Sequence, residues 1–445
     1  MNHSPITFAY EKTAGVDIDT LEGLAGNLIP YLETLREVAK EKSYQVPESS
    51  INLPFDTEIL EEVRSVANKK KNDQLRLSIV SGIGGSNLGA MAVYEALLRG
   101  NYCEHRGGKN PTILFADTVS PLLLKRIGGI LEREVKSPDE VLLNVVTKSG
   151  TTMETIANAE ALYSLLQKRF SQSIHNRVVL TTDRDSKLWN IGEEKGFTLL
   201  PIPELVGGRY SVFSVAGLFP LLLAGVDVED LLKGACDMRD QCLNADMSAN
   251  TALMNACILF AHYKKGITMH NTFFFNPELE TIGKWYRQLM GESLGKERNA
   301  KGEVVHAGIT PLVSIGSADL HSMAQLYFGG PRDKFTTFVH AKETSYEARV
   351  PNDFSFGDLV SGIAGKSFEE LMAAIVGGVE KAYERNELPF AKMTMPGVSA
   401  YTLGQYLQYN MMMIMFLAHL MGVNPFDQPN VEDYKKETKN ILKIT

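Results

Sequence analysis

The sequence predicts an α/β protein of two parallel-sheet units with helical segments at both ends. Three observations carry that expectation. From Leu75 onward, apolar β-prone runs alternate with helical patterns, and continuous apolar strands separated by helices indicate a parallel sheet covered on both faces. A second, looser set of such runs begins near residue 267. The longest apolar stretches, Gly217 to Val226 and Met411 to Val423, fall short of the roughly twenty residues that span a bilayer and read as buried core helices.

In chain order, residues 1–70 read as amphipathic helix with little that suggests chemistry. Residues 71–205 form the first unit, with strands expected in Leu77–Gly84, Thr112–Asp117, Val141–Val146, Arg177–Thr182 and Phe197–Ile202. Residues 206–266 read as a helical connection. The second unit, 267–390, carries strand-like runs at Ile267–Phe275, Ala307–Ser314 and Phe335–Ala341. Residues 391–445 read as one long apolar helix, a turn at NPFDQP and a charged final helix. In parallel sheets of this kind, ligands sit at the carboxyl ends of the strands.

Composition narrows the function. The chain has 445 residues, 44% of them hydrophobic, enough for more than one core and about two or three domains by length. A net charge of −8 with 22% charged residues argues against broad nucleic-acid binding, which requires a basic surface. Cys103, Cys236, Cys242 and Cys257 form no CxxC pair and no zinc-like spacing, as expected in a reducing compartment. The N-terminus, MNHSPITFAYEKTAG, lacks the layout of a secretion signal. A cytoplasmic protein with no membrane, nucleic-acid or metal partner is expected.

Two strand-to-helix turns carry the strongest chemical signal. In SGIGGSNLGAMAVYEAL, Gly82, Gly84 and Gly85 do not fit the GxGxxG dinucleotide fingerprint, because position 87 is Asn. The turn either approaches a phosphate or sugar hydroxyls, or only packs a helix on the sheet. In VVTKSGTTMET, Thr147, Ser149, Thr151 and Thr152 surround a position that three phosphate oxygens can occupy, and Lys148 adds a point charge. Helix capping by Thr151 or Thr152, with Glu154 in the first turn, explains one or two of those hydroxyls but not the cluster.

Further along, GGRYSVFS lets the backbone approach a ligand while Arg209 offers a fork of donors to an oxyanion. MGESLGKE places Glu292 among small residues, SADLHSMAQLY carries His321, and NPFDQPNVEDYKK carries Gln428 and the pair Lys435–Lys436. Taken singly, each of these charges has an ordinary surface reading, and His321 an ordinary structural one.

Taken together, GIGGSNLG, TKSGTTMET, GGRYSVFS, GESLGK, LHSMAQ and NPFDQPNVEDYK resemble, in order and spacing, the glucose-6-phosphate isomerase family, from about Leu77 to Lys435. The resemblance implies two sugar-isomerase (SIS) domains, each a five-stranded parallel sheet flanked by helices, plus N- and C-terminal helices. It implies that Thr147, Lys148, Ser149, Thr152 and Thr155 bind the substrate phosphate, with Gly85, Ser86 and Gln428 at the sugar. Glu292 matches the base that moves a proton between C2 and C1, and Arg209 the stabiliser of the enediolate. His321 and Lys435 match the ring-opening pair. No cofactor or metal is implied. A homodimer with composite sites is, the histidine coming from the other subunit. The chain departs from the commoner ESNGK pattern at Leu294, which puts a neighbouring contact in doubt. Beside the isomerase reading stand a bifunctional isomerase that also accepts mannose 6-phosphate and a non-catalytic sugar-phosphate sensor.

Overall fold

The computed structural model describes residues 4–99, 110–247, 249–342, 347–353, 355–357 and 359–443; Cys103 lies outside them. The chain opens with a short strand, β1 (Thr7–Ala9), and two helices, α1 (Ile18–Lys40) and α2 (Thr57–Lys70). Asp17 and Asp56 start these helices, accepting the backbone N–H of Thr20 at 2.7 Å and of Ile59 at 2.9 Å.

The first unit alternates strictly. It runs β2 (Leu77–Ser81), α3 (Leu88–Tyr94), β3 (Thr112–Ala116), α4 (Pro121–Glu134), β4 (Val141–Val146), α5 (Met153–Phe170), β5 (Val178–Asp183), α6 (Lys187–Lys195) and β6 (Thr198–Ile202). All five expected strands are present, paired in parallel in the order β3-β2-β4-β5-β6. Strands β2 and β4 are buried along their whole length, which is why their sequence is continuously apolar rather than alternating. The chain steps outward from β2 to β3 and then crosses back to β4. The strand order therefore reverses between β2 and β4, and a crevice opens there at the carboxyl edge. Residues 82–87 and 147–152 leave the two strands that flank this crevice.

Three helices, α7 (Val215–Ala224), α8 (Val228–Cys242) and α9 (Thr251–Lys264), lead to the second unit. That unit runs β7 (Met269–Phe274), α10 (Glu280–Leu294), β8 (Lys296–Arg298), β9 (Val304–Ala307), β10 (Thr310–Ile315), α11 (Ala324–Gly329), β11 (Lys334–Ala341), α12 (Phe368–Arg385) and β12 (Phe390–Met395). Its sheet has the order β10-β7-β11-β12-β1, so its first four strands repeat the out-and-back path of the first unit.

Two features differ from the sequence reading. Strand β12 straddles the boundary expected at residue 390. Strand β1 pairs antiparallel with β12, Thr7 opposite Thr394, so the second sheet is mixed rather than wholly parallel. Its edge comes from a terminal segment expected to be helical; three residues with one side chain buried are too few to show a period of two.

The second sheet also reverses order, between β7 and β11, but that crevice is closed. The buried side chain of Asn276 donates to the Ala341 carbonyl at 3.1 Å and accepts the Ala341 N–H at 2.8 Å.

Beyond the sheets lie α13 (Ala400–Met421), buried from Ala400 to Ala418, and α14 (Glu432–Leu442), which buries none of its residues. Both long apolar runs of the sequence thus lie in core helices, and among the described residues no helix is long and apolar enough to cross a membrane. Helices α8 and α13 cross at backbone contact. A Cβ on Gly404 would lie 1.9 Å from the Leu231 carbonyl oxygen, and one on Gly234 1.9 Å from that of Tyr401. Rigid backbone on both sides leaves nothing to yield. Gly404→Ala is therefore expected to destabilise the protein by about 2–3 kcal/mol, read as a lowered thermal midpoint; an unchanged midpoint would show that the helices part freely.

Candidate active site

Arg209 lies in the single 3₁₀ turn Gly208–Tyr210 that follows β6. It is 2% exposed. A buried guanidinium must satisfy five N–H donors, and each is used. Nε donates to Ser293 Oγ at 2.9 Å, Nη1 to Glu292 Oε2 at 3.2 Å and Gln428 Oε1 at 2.5 Å, and Nη2 to the carbonyls of Pro425 at 2.5 Å and Asp427 at 3.0 Å. One side chain thus joins the end of the first sheet, the end of α10 and the loop 424–428.

Glu292 sits in the last turn of α10, its side chain about one-third exposed. Its two oxygens have different neighbours: Oε2 faces Arg209, and Oε1 accepts from Gln288 Nε2 at 3.1 Å. Gln288 precedes Glu292 by four residues, so both lie on one helix face. Just past the helix, the Lys296 ammonium is buried and fully occupied. It donates to the Glu292 carbonyl at 2.9 Å and the Asp427 carbonyl at 2.5 Å, and pairs with Asp427 Oδ1 at 3.0 Å. Burial lowers its pKa, while Asp427 opposes that shift. The hydroxyls of Tyr210 and Ser293 meet at 3.1 Å.

The glycine turn after β2 fits against this cluster. A Cβ on Gly85 would lie 2.2 Å from the Gly208 carbonyl carbon and 2.5 Å from the Arg209 nitrogen. Gly85 is glycine because two backbones touch there. The same contact places Ser86 beside the arginine turn, and a Cβ on Gly84 would meet Gln288 Nε2 at 3.0 Å.

The hydroxyl-rich turn after β4 is arranged around itself. Thr147 Oγ1 and Thr152 Oγ1 are 3.0 Å apart, Ser149 Oγ lies 3.5 Å from Thr152 Oγ1, and Thr151 donates from both its N–H and its Oγ1 to Ser149 Oγ at 3.3 Å. Thr152 is the N-cap residue of α5 by position, yet its side chain makes no capping bond. Capping, the ordinary reading of this segment, does not use its hydroxyl, and the first-turn N–H groups of α5 stay open to an acceptor. Lys148 is half-buried, and its ammonium has no hydrogen-bond or ion-pair partner among the described residues. Burial lowers its pKa, with Asp183 and Glu204 pulling the other way. First-turn N–H groups, hydroxyls and an unpaired cation at one sheet edge are groups able to bind an anion.

Three residues expected at the site stand apart from it. Thr155 is 1% exposed, its hydroxyl buried without a partner, and only its carbonyl is engaged, by Ser81 Oγ at 3.0 Å. It lies beneath the turn and not on its open face. His321 is exposed after β10, and its ring makes no hydrogen bond to Arg209, Glu292 or Gln428. Lys435 is exposed on α14 and pairs with Glu432 at 2.6 Å. Conversely, Gln288, Ser293, Lys296 and Asp427 join the cluster without having been singled out. The four-residue spacing from Glu292 was the available signal for Gln288. Leu294, where the resembled pattern has Asn, is fully buried in the core. Among the described residues, no group of three or more His, Cys, Asp or Glu side chains is placed to hold a metal ion.

Comparison with known proteins places the chain in a family. The family model for phosphoglucose isomerase matches residues 46–444. The glucose-6-phosphate isomerase of Carboxydothermus hydrogenoformans is 32% identical over 438 residues, 97% of this chain and 91% of that protein. That of Methanocaldococcus jannaschii is 32% identical over 82% of this chain and 84% of its own length. Among solved structures, a hypothetical protein from Thermus thermophilus superposes with a TM-score of 0.85 at 28% identity, covering 98% of this chain and 99% of that one. A glucose-6-phosphate isomerase from Chlamydia trachomatis gives 0.80 at 20% identity over 98% of this chain and 88% of that one, a likeness of fold.

The uncapped Thr152 supplies a direct test. Thr152→Val is expected to leave the thermal midpoint unchanged, because a true cap would be worth about 1 kcal/mol, and to weaken the binding of inorganic phosphate measured by calorimetry. A lowered midpoint with phosphate binding intact would return Thr152 to a capping role.

Proposed function

The chain belongs to the phosphoglucose isomerase family, and from that premise we propose how its residues divide the reaction. The chemistry is the reversible aldose–ketose isomerisation of glucose 6-phosphate and fructose 6-phosphate through an enediol, a step of glycolysis. A proton leaves C2, and one returns to C1. A carbon acid beside a carbonyl is weak, so a positioned base and a stabiliser of the developing oxyanion are both needed.

The observation that carries the assignment is the 3.2 Å contact between Arg209 and Glu292 at the carboxyl edge of the first sheet. Glu292 is the base. Gln288 and Arg209 hold its two oxygens apart and aim the carboxylate. Arg209 cannot lose its charge by deprotonation, and with its five donors already engaged it stabilises an enediolate through the field of a fixed positive charge. Thr147, Lys148, Ser149 and Thr152 hold the phosphate, Gly85, Ser86 and Gln428 line the sugar, and Thr155 supports the turn from below. Nothing in this division of labour calls for a cofactor.

The ring-opening pair is not assembled within one chain. His321 and Lys435 are exposed and separate from Arg209, and α14 presents Tyr434, Ile441 and Leu442 to solvent at 59%, 79% and 53% exposure. These facts support a homodimer in which His321 enters the site of the partner, in a cytoplasmic setting that suits the buried free thiols Cys242 and Cys257.

Glu292→Gln is expected to lower kcat by about a hundredfold or more with substrate still bound; full turnover would remove Glu292 from the mechanism. Mixing inactive Glu292→Gln and His321→Ala chains tests the shared site. Random reassortment of a two-fold dimer leaves one intact site in half of the dimers, so about a quarter of wild-type activity returns. If no activity returns although mixed dimers form, each site draws its histidine from its own chain.

A further inference from the structure

Asp183 ends β5 directly beside the phosphate turn. Its N–H donates to the Lys148 carbonyl at 3.2 Å, and Thr182 Oγ1 donates to the same carbonyl at 3.2 Å. The carboxylate itself is poorly satisfied. Oδ1 is buried with no hydrogen-bond partner, and among the described residues no ion pair joins it to Lys148. Two charges face it from neighbouring segments: Lys148 on the turn after β4, and Glu204 after β6. Of the charges in its own loop, Arg184 lies over the Trp189 ring at 5.2 Å, with its charge towards Glu62 of α2, while Asp185 and Lys187 are exposed.

A buried carboxylate without a donor favours its neutral form. Burial pushes the Asp183 carboxyl up to about 7, against the pull of Lys148 and helped by Glu204. When it is ionised in the free protein, Asp183 is a nearby countercharge to Lys148. A phosphate monoester carries close to two negative charges at neutral pH, its second pKa being about 6. Once it reaches Lys148, the turn holds three negative charges and one positive. Like charge disfavours the ionised carboxylate, and a single proton relieves it.

We propose that Asp183 takes up a proton as the sugar phosphate settles against Lys148, and that this uptake sets the alkaline limit of substrate affinity. The inference rests on the reading of residues 147–152 as the phosphate site. Its direction follows from linkage. Below pH about 7 Asp183 is already neutral and a dianion binds without proton exchange. Above it, each bound ligand must bring a proton or face a carboxylate, so affinity falls by at most about tenfold per pH unit. Asp183 is a positioning residue: it acts on the charge of the turn and touches no reacting carbon.

Sulfate is a suitable probe, because it stays a dianion across the range and its own titration does not enter. Its competitive inhibition constant against sugar phosphate is measured on the full-length enzyme at a series of pH values. For the wild type, the constant is expected to rise about fivefold or more between about pH 6.5 and 8.5, and Asp183→Asn is expected to flatten that rise. Glu204→Gln, on a different segment, moves the start of the rise to lower pH, since Glu204 supports the protonated form. A pH-independent constant in the wild type, or the same rise in Asp183→Asn, overturns the proposal. If Asp183→Asn does not fold, an unmoved profile in Glu204→Gln overturns it instead. Sulfate that fails to compete at any pH overturns the phosphate site itself, and this inference with it; competition without pH dependence defeats this inference alone.

Discussion

A buried guanidinium needs five acceptors, and much of this site is the means by which the chain supplies them to Arg209. Left unpaired in the interior, the charge would be very costly. Its partners come from two stretches far from it in sequence: Ser293 and Glu292 at the end of α10, and Gln428 with the carbonyls of Pro425 and Asp427 in the loop 424–428. Satisfying one side chain therefore fixes the loop 424–428 over the sheet edge and sets Glu292 beside the cation. Lys296 repeats the device one step further out, tying the Glu292 carbonyl to Asp427. Placement of the Glu292 carboxylate and burial of the arginine charge are the same event.

The glycines extend this constraint to the ligand. Gly85 touches the backbone of Gly208 and Arg209, so the turn that leaves β2 cannot move independently of the arginine. The β2 and β4 turns flank one crevice because the strand order reverses there. On the proposed reading, a sugar phosphate held by its phosphate at the β4 turn reaches across to a carboxylate fixed from the other side. Such positioning of reacting groups is a large part of what an active site contributes.

Much of this was legible in the sequence. Continuous apolar runs marked the five strands of the first sheet, since burial on both faces demands them, and the hydroxyl crowd after Val146 marked the phosphate turn. Composition could not separate a hydroxyl that caps a helix from one free for another use; the structure shows that the Thr152 side chain makes no capping bond. Strand β1 escaped notice because three residues carry no period, and β12 because its run lay next to an expected boundary. Thr155 belonged to the right motif but faces the core, a helix-phase effect that motif matching ignores. Lys296 and Asp427 look like ordinary surface charges until the fold buries one against the other. His321 and Lys435 are exposed and make no contact with the Arg209 cluster, so no motif spacing could show where they act.

The closed crevice of the second sheet has a consequence for stoichiometry. Its first four strands follow the same path as those of the first sheet, so the fold offers two mouths at two reversal points. Asn276 stitches one of them to the end of β11 with a pair of bonds to Ala341. On the proposed division of roles, each chain then offers one ligand site, at the mouth of the first sheet. The repeated half supplies α10, and with it the Glu292 carboxylate that lies against Arg209 at the mouth of the other half.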